Sequence, residues 1–199
     1  MATAPSTAKG RATVARVLDA ACELFARQGV RATTLDQVGA RSGTGRGQLY
    51  LYFDGKADLV AAVVAQQVER VLDAQQPQLG AIATADDVRA WCDAAVRAYA
   101  DDDPVRCPIG SLVHELGERD AAARTALAAG FGRWRDALAA GLHRVHEDGG
   151  LRAGVDPDVA ATALLAAYQG GVLLAGATGD REHLRLALEN FRRTTLVDG

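Results

Sequence analysis

The sequence predicts an all-α fold, and three observations carry that expectation. Between residues 121 and 147 the apolar set Leu127, Phe131, Trp134, Leu138, Leu142 and Val145 recurs every three or four positions, the spacing that lines one face of an α-helix. Helix punctuation falls at long intervals, with Gly29, Pro77 and Gly149-Gly150 as stops and Asp156-Pro157 as a start. Residues 33–59 read as two short helices joined by a glycine turn.

The elements follow in order. Residues 1–10 are small and polar, and a disordered arm is expected there. A first helix over residues 13–28 carries Val14, Leu18, Ala21 and Phe25 along one stripe and ends at Gly29; Cys22, four residues after Leu18, is read as core packing. Leu35 and Val38 give the next helix its apolar edge, Gly43 makes the turn, and Leu49 and Phe53 pin the helix that follows. Residues 56–76 form a long amphipathic helix ended by Pro77, and residues 86–100 another, with Val88, Trp91, Cys92, Ala95 and Tyr99 inward. The run Asp101-Asp102-Asp103-Pro104-Val105-Arg106-Cys107-Pro108 breaks helicity, and a short helix resumes over residues 111–118. After the helix over residues 121–147, two more are expected over residues 157–177 and 180–194, the first capped by Asp156.

Charge is distributed unevenly. The whole chain carries −3, yet residues 1–56 hold eight Lys or Arg against four acids, and residues 57–199 hold 14 against 21. A basic head can meet phosphates while an acidic body stays clear of them. Three cysteines without CxxC spacing, and no signal peptide, fit a reducing cytoplasmic compartment and argue against cysteine-based zinc or disulfide scaffolding.

A glycine-jointed helix pair whose second member bears Arg46, Gln48, Tyr50 and Tyr52 has the layout of a helix-turn-helix that reads DNA. Arg46 suits the O6 and N7 edge of guanine, and Gln48 the N6 and N7 edge of adenine. Thr34, Gly45, Arg46 and Gly47 stand at helix starts, where backbone N–H groups can hold a phosphate, and Gly47 lets the backbone approach the groove wall. Lys9 and Arg11 of the arm can reach a backbone or minor groove.

Over residues 13–60 the chain closely resembles the N-terminal domain of tetracycline-repressor (TetR) family regulators. The resemblance runs through Leu18, Ala21, Leu24, Phe25, Gly29, Ala32-Thr33-Thr34, Gly43, Gly47, Leu49-Tyr50, Phe53, Lys56 and Leu59. It implies that Tyr50, Tyr52 and Lys56 contact phosphate, orienting the protein without reading sequence. It also implies a helix-turn-helix domain over residues 11–56 and a helical ligand-binding and dimerisation domain over residues 57–199. Two positions depart from the family's pattern: Gly45 stands where Ser or Thr would cap the recognition helix, and Gly39 where Ala is usual. The missing hydroxyl at residue 45 implies a slightly weaker or more adaptable head.

The body offers a pocket rather than an active site. Trp91, Tyr99, Cys107, His114, Phe131, Trp134, Tyr168 and Gln169 are its bulky or hydrogen-bonding residues, the mixture a small-molecule site between helices requires. Packing alone accounts for some of them. Cys107 follows Arg106 at a helix junction, where a guanidinium and helix-terminal N–H groups can lower a thiol's pKa; a pocket-lining thiol is the alternative to a reactive sensor.

Residues 159–179 carry no charge, a run long enough to span a bilayer. Alanine, glycine and flanking aspartates instead of Lys or Arg argue for a buried helix and against a membrane partner. Small residues there, Gly170 and Gly171 among them, are expected to admit a second subunit closely, and the resemblance implies a homodimer through the last two helices.

Two rival chemistries fit the residues less well. Gly43-Thr44-Gly45-Arg46-Gly47 lacks the Gly-x-Gly-x-x-Gly spacing of a nucleotide loop, so no cofactor is expected. His143 and His146 share a helical face beside Glu147, which admits a metal-binding protein or enzyme, but two histidines make an incomplete site. The expected function is a ligand-responsive repressor, not an enzyme, acting on a near-palindromic double-stranded DNA operator and released by a small apolar inducer. The alternatives are that metal protein and a ligand-independent DNA binder.

Overall fold

The computed structural model describes residues 5–99 and 121–198, and among these the chain is all-helical. Nine helices are described: α1 (Ala8–Ala32), α2 (Leu35–Ser42), α3 (Arg46–Tyr50), α4 (Lys56–Ala74), α5 (Gln78–Ala81), α6 (Ala85–Arg97), α7 (Ala121–Glu147), α8 (Pro157–Thr178) and α9 (Glu182–Thr195). They fall into two compact units, one containing residues 5–70 and 121–130, the other residues 71–99 and 131–198.

In the first unit α1 starts at Ala8, five residues before the expected start, because Thr7 caps it and accepts a hydrogen bond from the Gly10 N–H at 3.1 Å. Residues 8–10, assigned by composition to a disordered arm, therefore form the first helical turn. Thr13, Val17, Leu18, Ala21 and Phe25 make the buried face, while Val14 and Cys22 are half-buried at its margin. Burial pushes the Cys22 thiol above its ordinary pKa. Helical geometry breaks at Gly29, whose φ of 82° favours glycine, as the expected stop requires.

Cross-links tie the neighbouring helices to α1. Arg41 of α2 pairs with Glu23 at 2.6 Å, and from α4 both Gln66 and Arg70 donate to the Asp19 carboxylate. Val38, Leu49, Phe53, Leu59, Val60 and Val63 are fully or almost fully buried, as are Val17, Ala21 and Phe25 of α1, and together they are core residues of this unit.

In the second unit a short helix that the sequence did not announce, α5, precedes Thr84. Thr84 and Asp87 form a capping box at the start of α6. The Thr84 hydroxyl accepts from the Asp87 N–H at 3.2 Å, and the Asp87 carboxylate accepts from the Thr84 N–H at 2.9 Å. α7 lies against Ile82, and Arg144 donates to the Ile82 and Gly80 carbonyls at 2.8 and 3.1 Å. The Asp156 carboxylate accepts from the Asp158 and Val159 N–H groups, and Pro157 occupies the first turn of α8, as expected.

The last two helices pack on each other at Gly171 and Leu184, and Arg192 of α9 reaches Asp93 of α6 at 2.7 Å. This corrects one expectation: Gly171 is buried against its own chain and does not serve a partner's approach. Gly170 has nothing within 4 Å of an added Cβ and is the open one of the pair. α8 is long and apolar enough to cross a membrane by length and composition, and 39% of its most apolar window is buried in the protein.

Candidate nucleic-acid interface and aromatic cluster

The turn between α2 and α3 is built by Gly43, in the left-handed region at φ 66°, and by the Thr44 N–H donating to the Gly39 carbonyl at 2.9 Å. A methyl group at Gly39 would lie 3.0 Å from the Thr44 carbonyl oxygen, a physical reason for glycine where the resemblance leads one to expect alanine. Thr34 caps α2 in a capping box with Gln37, which also accepts from Gln28 of α1 at 3.1 Å. Gly45 caps α3 without a side-chain hydrogen bond.

Leu49 is buried, and its burial turns the rest of α3 outward. Arg46, Gly47, Gln48 and Tyr50 are all exposed, as are Thr34 and Gly45. The Arg46 guanidinium stands 3.6 Å from the Asp36 carboxylate and lies over the Tyr50 ring at 5.9 Å. Both charges are largely exposed, so the pair contributes at most about 1 kcal/mol and can be exchanged for another anion.

Tyr52 is half-buried, its hydroxyl close to Gly10 of α1, so this ring packs the unit as well as reaching its surface. Lys56 is half-buried and donates to the Arg31 carbonyl at 3.1 Å, which fixes the ammonium at the start of α4.

Two exposed neighbours carry no signal in the sequence: Asp36, the partner of Arg46, and Leu51, 69% exposed just after α3. Asp36 sits one helix earlier, and only the folded turn brings it beside Arg46. Leu51 interrupts an otherwise polar surface, which is visible only once burial is known. The cavity between α2 and α3, bounded by Asp36, Gly39, Arg46 and Tyr50 among others, is about 100 Å³, well below the ~300 Å³ of drug-sized sites.

In the second unit three of the expected pocket residues converge on a fourth, Tyr168. Its ring lies 5.2 Å from Trp134 in an edge contact, 5.8 Å from Trp91 and 6.5 Å from Tyr99. The Tyr99 and Tyr168 hydroxyls share a hydrogen bond at 3.0 Å, and the Trp91 Nε1–H donates to Gln75 Oε1 at 3.1 Å. Trp91 and Trp134 are buried, and Phe131 on α7 and Gln169 on α8 are half-buried. Cys107 and His114 lie outside the described residues.

His143 and His146 are exposed, and His143 faces Asp158 at 3.3 Å. Among the described residues no group of three or more His, Cys, Asp or Glu is arranged to hold a metal ion.

Comparison with known proteins bears directly on both units. Residues 17–63 match the family described as bacterial regulatory proteins, tetR family, and residues 84–191 match the tetracyclin repressor-like C-terminal domain. The chain belongs to the TetR family. Its members are transcription regulators, and the match covers the exposed α3 and all four rings of the aromatic cluster. Among curated TetR-type relatives, an uncharacterized HTH-type transcriptional regulator TtgW of Pseudomonas putida is 40% identical over 62 residues, 31% of this chain and 46% of that protein. The HTH-type transcriptional regulator SrpR of Pseudomonas putida is also 40% identical over 62 residues, 31% of this chain and 29% of its own length. The chain thus matches less than half the length of either curated relative. SmeT, the repressor of the Stenotrophomonas maltophilia multidrug efflux pump SmeDEF, has been solved with triclosan. That complex superimposes with a TM-score of 0.77 at 29% identity, covering 94% of this chain and 93% of SmeT.

Proposed function

We propose that this TetR-family protein is a homodimeric transcriptional repressor that holds a near-palindromic DNA operator and releases it on binding a small apolar molecule. The observation that carries the reading is the outward face of α3, where Arg46, Gln48 and Tyr50 stand exposed beside a turn anchored by buried Leu49. On this reading Arg46 and Gln48 read base edges, while Thr34, Gly45, Gly47, Tyr50, Tyr52 and Lys56 meet phosphates. The functional division falls near residue 56, with the head before it and the effector and dimerisation body after it.

The effector site is proposed at the aromatic cluster of Trp91, Tyr99, Trp134 and Tyr168, with Phe131 and Gln169 nearby on the same helices, and Cys107 and His114 as further candidates. Support comes from the apolar, aromatic composition of the cluster and from the SmeT–triclosan complex, in which a related protein holds a small molecule. Dimerisation is assigned to α8 and α9, where Val159, Leu173, Leu174 and Leu186 are exposed apolar residues. The protein is then cytoplasmic, catalyses no reaction and inserts in no membrane.

An effector that prefers a body conformation with misplaced heads weakens DNA binding, and by linkage the DNA complex binds that effector less well. Enriching operator sequences from random double-stranded DNA with the purified protein tests the first half. A two-fold-related consensus is expected, and the absence of any enrichment would overturn the reading. Titrating triclosan and a set of apolar compounds into the selected complex tests the second half, with release expected from at least one.

A further inference from the structure

We propose that the indole N–H of Trp134 is the hydrogen-bond donor to the effector, which is therefore an apolar aromatic molecule bearing an acceptor such as a carbonyl or phenolic oxygen, and not a bare hydrocarbon. The inference rests on the effector pocket proposed above and specifies what that pocket selects.

The polar tips of the cluster differ in their bonding. Trp91 Nε1 donates to Gln75 Oε1 at 3.1 Å, and the hydroxyls of Tyr99 and Tyr168 bond each other at 3.0 Å. Trp134 is 0% exposed, and its Nε1 has no hydrogen-bond partner among the described residues. Within the described residues of its unit, it is the one buried side-chain nitrogen or oxygen in that condition.

Indole nitrogen is a donor only, so an acceptor alone can satisfy it, and no second donor can. A buried polar group left unpaired is costly, and such groups in native proteins call for an explanation. Trp134 belongs to an aromatic cluster: Tyr168 meets its ring at 5.2 Å, and Trp91 in turn meets Tyr168 at 5.8 Å. Aromatic walls select a flat apolar body, and the single unmet donor selects one acceptor on it.

The test uses two ring-matched compounds, 2-acetonaphthone, which carries a carbonyl, and 2-ethylnaphthalene, which carries no acceptor. The full chain has two tryptophans, so ¹⁵N-tryptophan labelling gives two indole N–H resonances, assigned with Trp91→Phe. The ketone is expected to move the Trp134 resonance downfield and to bind about tenfold tighter than the hydrocarbon, a preference that Trp134→Phe abolishes.

Equal binding of the two compounds with an unmoved Trp134 resonance would overturn the donor assignment and leave the pocket standing. A preference for the ketone that survives in Trp134→Phe would do the same. Binding of neither compound would overturn the pocket and the donor together. Should Trp134→Phe fail to fold, the titration of the unaltered chain decides alone.

Discussion

Gly171 of α8 and Leu184 of α9 meet so closely that a Cβ added to the glycine would lie 2.6 Å from the leucine Cα and 2.9 Å from its Cδ1. This contact sets the spacing of the last two helices within one chain. Gly171→Ala should therefore overpack it and cost about 1–3 kcal/mol, lowering the melting temperature by several degrees while leaving self-association intact. Calorimetry and light scattering on the same samples check both halves; an unchanged melting curve would mean that the helices can separate at no cost.

Association should respond instead at the exposed leucines. Leu173 and Leu174 are 56% and 49% exposed on α8, and a charge there burdens a subunit interface without disturbing the chain's own core. Leu174→Glu is expected to give monomers at micromolar concentration by light scattering, with the helical circular dichroism of the parent retained.

The two cations of the head should differ in effect. Arg46→Ala should relax base preference, with a loss of about 1–3 kcal/mol at one operator position, whereas Lys56→Ala should weaken all sequences alike and lower the salt slope by about one. Because Lys56 also donates to the Arg31 carbonyl, a melting curve must accompany the binding assay. Unchanged affinity and salt dependence in both variants would place the DNA-binding surface elsewhere.

At the start of α6 the Thr84 hydroxyl, and then the Ala83 and Thr84 N–H groups, hold the Asp87 carboxyl below its ordinary pKa. A carboxyl depressed on folding contributes stability that is present above its unfolded pKa, about 3.9, and is lost as pH falls through the folded value. Stability should accordingly drop more steeply below about pH 4 in the parent than in Asp87→Asn, as read by urea midpoints across that range.

Burial pushes the Cys92 thiol up to about 12. At pH 8 its thiolate fraction is then about 10⁻⁴, and Cys92 should resist thiol reagents until the protein unfolds. Peptide mapping after brief alkylation of native protein checks this; prompt labelling of Cys92 would show that α6 opens readily.

Much of this architecture is legible from local chemistry. Asp156-Pro157 announces α8, Gly29 announces the end of regular helix in α1, and the apolar repeat from Leu127 to Val145 announces α7, because each signal acts within a few residues of its effect. α5 escapes because four residues between Pro77 and Ile82 carry no period to detect.

Legibility stops where partners are distant in sequence. Nothing in the residue types separates Gly170 from Gly171, yet one faces open space and the other a helix of its own chain. The pairing of Tyr99 with Tyr168 spans 69 residues, and the ion pair of Arg46 with Asp36 exists only once the turn has formed. Gathering the aromatic residues into one candidate site needs composition alone, whereas telling satisfied Trp91 from unsatisfied Trp134 needs coordinates.

Both tryptophans of the chain, Trp91 and Trp134, belong to the second unit, and the first has none. Indole emission excited at the red edge of protein absorption is consequently blind to residues 5–70, while helical ellipticity sums over everything. A denaturant titration followed by both signals contains an internal comparison without any added label. Coincident curves would mean that the head and the body melt as one cooperative block, and an ellipticity change that precedes the emission change would mean that the DNA-reading unit frays first.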